Sequence, residues 1–257
     1  MNLWAKLLAL IAPKKNAAQP AAPIVTKKPV KKTLFYTGKG LIIHGEPFMT
    51  AAPAAGVASG GSREMPRVKY SVRFYDGYYG KRQRDANRDG AICFVAHHFN
   101  SSPSASADYA LCVVADNASL TGKAWAADYI MRISNTFDVP KWNGHGVCVG
   151  GMSGRGNSQI RNTLMPAILC EPLFGSNPHL AYLIRQKQGQ RALADCLTRS
   201  IRQTFPDGGL VAFSVGHKYK PAPHDRDRGA ALHGGGMEAD YAEMVLQEAA
   251  RMLEERS

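Results

Sequence analysis

From Arg67 to the end of the chain, short apolar runs alternate with stretches of helical period, and few folds accommodate that alternation. Strands are read at VKYSVRFY (68–75), AICFVAHH (91–98), YALCVVAD (109–116), MPAILCE (165–171) and GLVAFSVG (209–216). Helices are read at about 119–136, 187–203 and 238–255. In the last of these Tyr241, Val245, Ala249 and Met252 share one face at helical spacing, so that helix is expected to lie against the sheet. The pattern specifies an α/β domain, a mostly parallel twisted sheet flanked by helices, over residues 66–257.

Residues 1–65 read differently, as an N-terminal extension. Leu3, Trp4, Leu7, Leu8 and Ile11 can share a helical face, which suits a short amphipathic anchor or docking helix, or a segment with no function of its own. Lys6 interrupts the apolar run and Lys14 and Lys15 follow it rather than precede it, so it makes a poor cleavable signal. A Pro/Ala/Lys-rich linker follows, over about 12–32. A possible hairpin pairs Leu34–Tyr36 with Leu41–Ile43, and a second loose stretch leads to the main domain.

Two strand ends carry the chemistry. The run from Ala91 closes on His97, His98 and Asn100, and active sites of open α/β sheets collect at such ends. Alternation along a strand sends His97 and His98 to opposite faces, so one of the two is the candidate. The run ending Ile168-Leu-Cys-Glu171 places a carboxylate after an apolar strand, which is costly unless the carboxylate has a partner or a task.

Phe94-Val-Ala-His-His98-Phe-Asn100 resembles the F-V-S-I-H-A-N strand of the zinc-dependent N-acetylmuramoyl-L-alanine amidases, a family that includes bacterial cell-separation amidases and phage endolysins. Arg161 to Pro178 is similar to that family's R-N-T-x-M-P-A-V-L-V-E-x-G-F-I-S-N-P almost throughout, and Arg84-Asp-Ala-Asn87-Arg-Asp-Gly-Ala91 looks like its R-x-x-x-A-N-x-x-G-A lead. The resemblance implies His98 as a zinc ligand and Glu171 as the catalytic carboxylate. It implies Asn100 as a substrate contact, and Arg161 either as a holder of a stem-peptide carboxylate or as a structural residue. The family's other two ligands precede the histidine strand, where His44 and Glu64 could be proposed. Too few residues follow Glu64 to hold the intervening helix. At the far end of the chain, Gly209 to His217 resembles the family's first strand and its histidine. Asp227-Arg-Gly-Ala230 resembles its D-P-G-A, and Gly236-Met-Glu238 the start of the next helix with its ligand glutamate. The motifs thus stand in circularly permuted order, with His98, His217 and Glu238 as the implied zinc site. A turn at 205–209 would join the old end to the old beginning.

The implied activity is hydrolysis of the amide between N-acetylmuramic acid and L-alanine in peptidoglycan, in the periplasm or cell wall, by a bacterial enzyme or a phage-encoded, virion-associated lysin. The alternative is a catalytically inactive amidase-fold protein that binds cell wall or acts as a scaffold. A formal net charge of +12 favours a polyanionic partner, and the basic linker suits anionic envelope polymers or a virion or envelope protein. The lysines cluster in that linker without a recognition motif, so no nucleic acid is expected. The five cysteines are odd in number and contain no CxxC pair, and Cys93, Cys112 and Cys170 read as buried hydrophobes. His145, His179, His224 and His233 read as surface loop residues, the last two inside the implied active-site loop.

Overall fold

A computed structural model describes residues 69–255. The anchor helix, the hairpin, His44 and Glu64 lie outside the described residues. Six strands, β1 (Tyr70–Phe74), β2 (Cys93–His97), β3 (Leu111–Val114), β4 (Val147–Val149), β5 (Ala167–Glu171) and β6 (Gly209–Val215), form one sheet in the order β1-β6-β2-β5-β3-β4. All pairings are parallel except β3 with β5. Five helices accompany them: α1 (Tyr79–Arg88), α2 (Leu120–Phe137), α3 (Pro178–Arg185), α4 (Lys187–Thr204) and α5 (Glu238–Glu255). The expected α/β class and the helices α2, α4 and α5 are present within a residue or two of where they were read. Among the described residues no helix is long and apolar enough to cross a membrane.

Strand alternation divides the core in two. Cys93, Val95, Cys112, Ile168, Cys170, Val211 and Phe213 pack with α2, α3, α4 and α5 on one face. Phe94, Ala96, Leu111, Val113, Leu169 and Ala212 pack with Ala86 of α1 and with Ile160 on the other. All five cysteines are buried and unbridged, as small apolar side chains would be. In α5, Val245 and Ala249 are fully buried, and Tyr241 and Met252 pack at the margin of the same core.

Two helices escape the reading from sequence. The buried face of α1 is made by Arg82, Gln83 and Ala86, so its period is written in polar residues and no apolar stripe announces it. The segment 176–178, where no helix was read, opens α3: Asn177 Oδ1 accepts from the backbone N–H of His179 at 3.0 Å and of Leu180 at 3.1 Å, with Pro178 in the first turn. His179 therefore sits on a helix rather than a loop, and is exposed as expected.

Because β6 lies between β1 and β2, the carboxyl ends of β2, β5 and β6 stand side by side on one edge of the sheet. The end of α5 returns to the first strand, where the Val72 N–H donates to Glu254 Oε1 at 3.1 Å.

Candidate metal centre

At that edge three side chains converge. His98 follows β2, His217 follows β6 and Glu238 opens α5, and their ligand atoms lie within 4.8 Å of one another. Glu238 Oε1 is 2.9 Å from His98 Nδ1 and 3.4 Å from His217 Nε2. The two imidazoles meet edge to face at 5.0 Å. Glu238 and His98 are both only 4% exposed. Burial alone would raise the Glu238 carboxyl, but hydrogen bonds and charge from His217 and His98 outweigh it and hold it well below the usual carboxylate range.

Each histidine is oriented from behind. Asp227 Oδ1 stands 2.9 Å from His217 Nδ1, and also accepts from the Gly229 N–H at 3.0 Å. Burial would lower His217, but Glu238 first and Asp227 second raise it above its ordinary value. Asp227 itself is driven to about 2: burial opposes this, and Lys220, the Gly229 amide and His217 prevail. On the other side, Gln159 Oε1 lies 3.0 Å from His98 Nε2. A carboxylate or amide fixing the far nitrogen of a histidine is the usual support of a metal ligand.

The cradle also leaves no spare room. A Cβ on Gly216 would lie 2.5 Å from His98 Nδ1, and one on Gly229 would lie 2.5 Å from Glu238 Oε2. Two imidazoles and a carboxylate, converging without a fourth protein ligand among the described residues, fit a catalytic zinc ion, whose preferred donors are these.

Glu171 ends β5 beside this trio. Burial raises its carboxyl above the ordinary value, His98 lowers it, Glu238 raises it, and Arg155 and His217 lower it in turn; burial prevails. A carboxyl raised in this way suits a group that gives and takes protons.

The structure does not bring every expected site residue into the group. His97 is fully buried, on the opposite face from His98. It stacks edge to face with Phe99 at 5.2 Å, and neither ring nitrogen has a hydrogen-bond partner among the described residues. Arg161 Nε donates to both oxygens of Asp116, at 2.9 and 3.1 Å, on an exposed surface. Asn100 Oδ1 accepts from the Ser101 N–H at 2.8 Å, and its backbone ties the end of β2 to the segment after Glu171. His145, His224 and His233 are exposed. Gln159 escaped the sequence reading because it ends a single 3-10 turn, Asn157–Gln159, too short to show a period. Asp227 was visible only as part of a D-x-G-A pattern.

A sequence model of the N-acetylmuramoyl-L-alanine amidase family matches residues 68–203, more than half of the chain. The chain belongs to that family. The part matched by the amidase model contains His98 and Glu171 and ends before β6, so His217 and Glu238 lie beyond it. Among solved structures, the catalytic domain of an N-acetylmuramoyl-L-alanine amidase from Bacillus (Paenibacillus) polymyxa var. colistinus is similar at 22% identity and a TM-score of 0.42, over 50% of this chain and 65% of that one. An amidase from Clostridium difficile 630 is similar at 21% identity and 0.43, over 50% and 65%. One from Nostoc punctiforme is similar at 20% and 0.40, over 48% and 63%. The chain thus spans less than two thirds of the length of each of these structures. No curated protein matches the chain.

Proposed function

We propose that the chain is a zinc-dependent peptidoglycan amidase that hydrolyses the bond between the lactyl group of N-acetylmuramic acid and L-alanine. The observation that carries the reading is the convergence of His98, His217 and Glu238 beside Glu171 at one sheet edge, in a chain of the amidase family. His98, His217 and Glu238 would hold the ion, which when bound supplies Lewis acidity toward a carbonyl oxygen and acidifies water. Asp227 and Gln159 hold the two imidazoles in one tautomer and orientation. Glu171 takes a proton from the attacking water and delivers it to the departing alanine nitrogen, a role its raised pKa suits. Arg155, whose charge acts on Glu171 from the loop after β4, is a better placed cation than Arg161 for a stem-peptide carboxylate.

We further read the chain order as a circular permutation of the family. Support comes from β6 lying between β1 and β2, from the ligands His217 and Glu238 falling after the matched stretch, and from the hydrogen bond between Glu254 and Val72. Residues 1–65, with their basic linker, would tether the domain to anionic envelope polymer or to an envelope or virion protein. Elemental analysis of the full chain, with mass spectrometry of products from purified peptidoglycan, tests the activity. The expected result is about one zinc per chain and release of free stem peptides. Zinc binding without any released peptide would favour the inactive cell-wall-binding alternative.

A further inference from the structure

His217 is held in a conformation that its own chain does not favour. Its φ is 62°, and that of Tyr219, two residues on, is 60°, in the left-handed region that side chains other than glycine rarely occupy. Such a turn persists only where its surroundings over-determine it. Here the surroundings are α1. Arg82 of that helix has no exposed surface. Its guanidinium donates to Ser214 Oγ at 2.8 Å, to the Val215 carbonyl at 2.7 Å, to the Gly77 carbonyl at 2.8 Å and to the Lys218 carbonyl. Two of those carbonyls bracket His217 in sequence. Between them, the His217 N–H donates to the hydroxyl of Tyr79, one turn before Arg82, at 3.1 Å. The Tyr79 ring in turn lies under the Arg82 guanidinium and the Lys220 ammonium, 5.1 and 4.9 Å from its centroid. Arginine is suited to this task because its rigid planar fork spreads five donors over three nitrogens and can reach acceptors several ångströms apart, whereas the three donors of a lysine radiate from one nitrogen. The arginine that the family-like lead offered from sequence, Arg84, is exposed on the other side of the helix.

We propose that Tyr79 and Arg82 are positioning residues that hold the His217 turn in its ligand-presenting conformation before any metal arrives, so that α1 is part of the metal centre. This rests on the reading of His217 as a zinc ligand. The test uses the full-length protein and the variants Tyr79→Phe, Arg82→Lys and Arg82→Met, with three measurements: zinc affinity by chelator competition, melting of the metal-free protein, and amide hydrogen exchange at His217. Tyr79→Phe keeps the ring and removes the hydroxyl, which accepts from the His217 amide and also meets the Lys220 ammonium. It is expected to fold, to speed exchange of the His217 amide in the metal-free protein, and to weaken zinc binding by about ten- to a hundredfold, the usual scale for a supporting residue. Arg82→Lys is expected to weaken zinc similarly, and Arg82→Met at least as much. Zinc affinity within twofold of wild type in Tyr79→Phe and Arg82→Lys, with only the melting temperature lowered, would overturn the proposal, because that is the signature of a purely structural role. If the wild-type protein binds no zinc, the metal reading fails, and unchanged His217 amide exchange in Tyr79→Phe would separately sink the clamp.

Discussion

Gly229 offers a test in which the size of the effect follows from the packing around it. It sits at φ +73°, and a Cβ there would lie 2.5 Å from Glu238 Oε2, 2.8 Å from His217 Cδ2 and 2.9 Å from Glu238 Cδ. Gly229→Ala therefore has two costs. The first is backbone strain, about 1–2 kcal/mol for an L-residue in the left-handed region. In a domain of this size that lowers the melting temperature by roughly 2–8 °C, at about 2–4 °C per kcal/mol. The second is displacement of the ligands. Real Cβ contacts essentially never fall under 3.0 Å, so the Glu238 carboxylate must retreat by about half an ångström. Metal–ligand distances tolerate about 0.2 Å. Zinc affinity is therefore expected to fall by at least about tenfold, equivalent to about 1.4 kcal/mol. Gly90 is the matched control: its φ is +68°, and an added Cβ would meet nothing within 4 Å. Gly90→Ala should lower the melting temperature by a similar amount and leave zinc binding unchanged. Chelator competition and calorimetric melting of both variants decide the matter. If Gly229→Ala binds zinc as tightly as wild type, or Gly90→Ala loses it equally, the packing argument for the site is wrong.

Glu171→Gln is expected to keep fold and zinc while losing peptidoglycan hydrolysis by at least about a hundredfold, the scale of a general acid–base residue; turnover near wild type would refute its role. Zinc affinity should fall with pH from a point above the ordinary histidine value of 6.5, because His217 holds its proton more tightly than usual and the ion needs the neutral ring. The metal-free protein should show the opposite trend: a raised histidine pKa contributes stability that is complete below 6.5 and lost as pH rises through the raised value. Melting curves with and without zinc between about pH 6 and 8, the range over which histidine titrates, check both signs. A chain reordered to run from residue 208 to 257 and, through a short Gly/Ser linker, into 66–206 should fold, bind zinc and hydrolyse peptidoglycan, since closing a short loop between neighbouring ends costs little. An insoluble or metal-free product would refute the permutation.

The apolar runs that became β2, β5 and β6 were legible because a buried strand must be apolar whatever lies beside it, and α2, α4 and α5 were legible because each buries one apolar face. The candidate group was nameable through the family resemblance, whose motifs fall on His98, Glu171, His217 and Glu238 at or next to the ends of such elements. What sequence could not supply was whatever depends on polar residues meeting across the fold. The buried side of α1 consists of Arg82, Gln83 and Ala86, a face that in isolation looks solvated. Only the placement of β6 beside β2 gives Arg82 its carbonyls and Tyr79 its amide, from residues more than 130 positions away. Likewise Gln159 reaches His98 across 61 positions, and Arg161, close to it in sequence, turns outward to Asp116. Hydrophobic burial is written residue by residue and can be read along the chain. A hydrogen bond is short and directional, and its partner is settled only when the strands have taken their order.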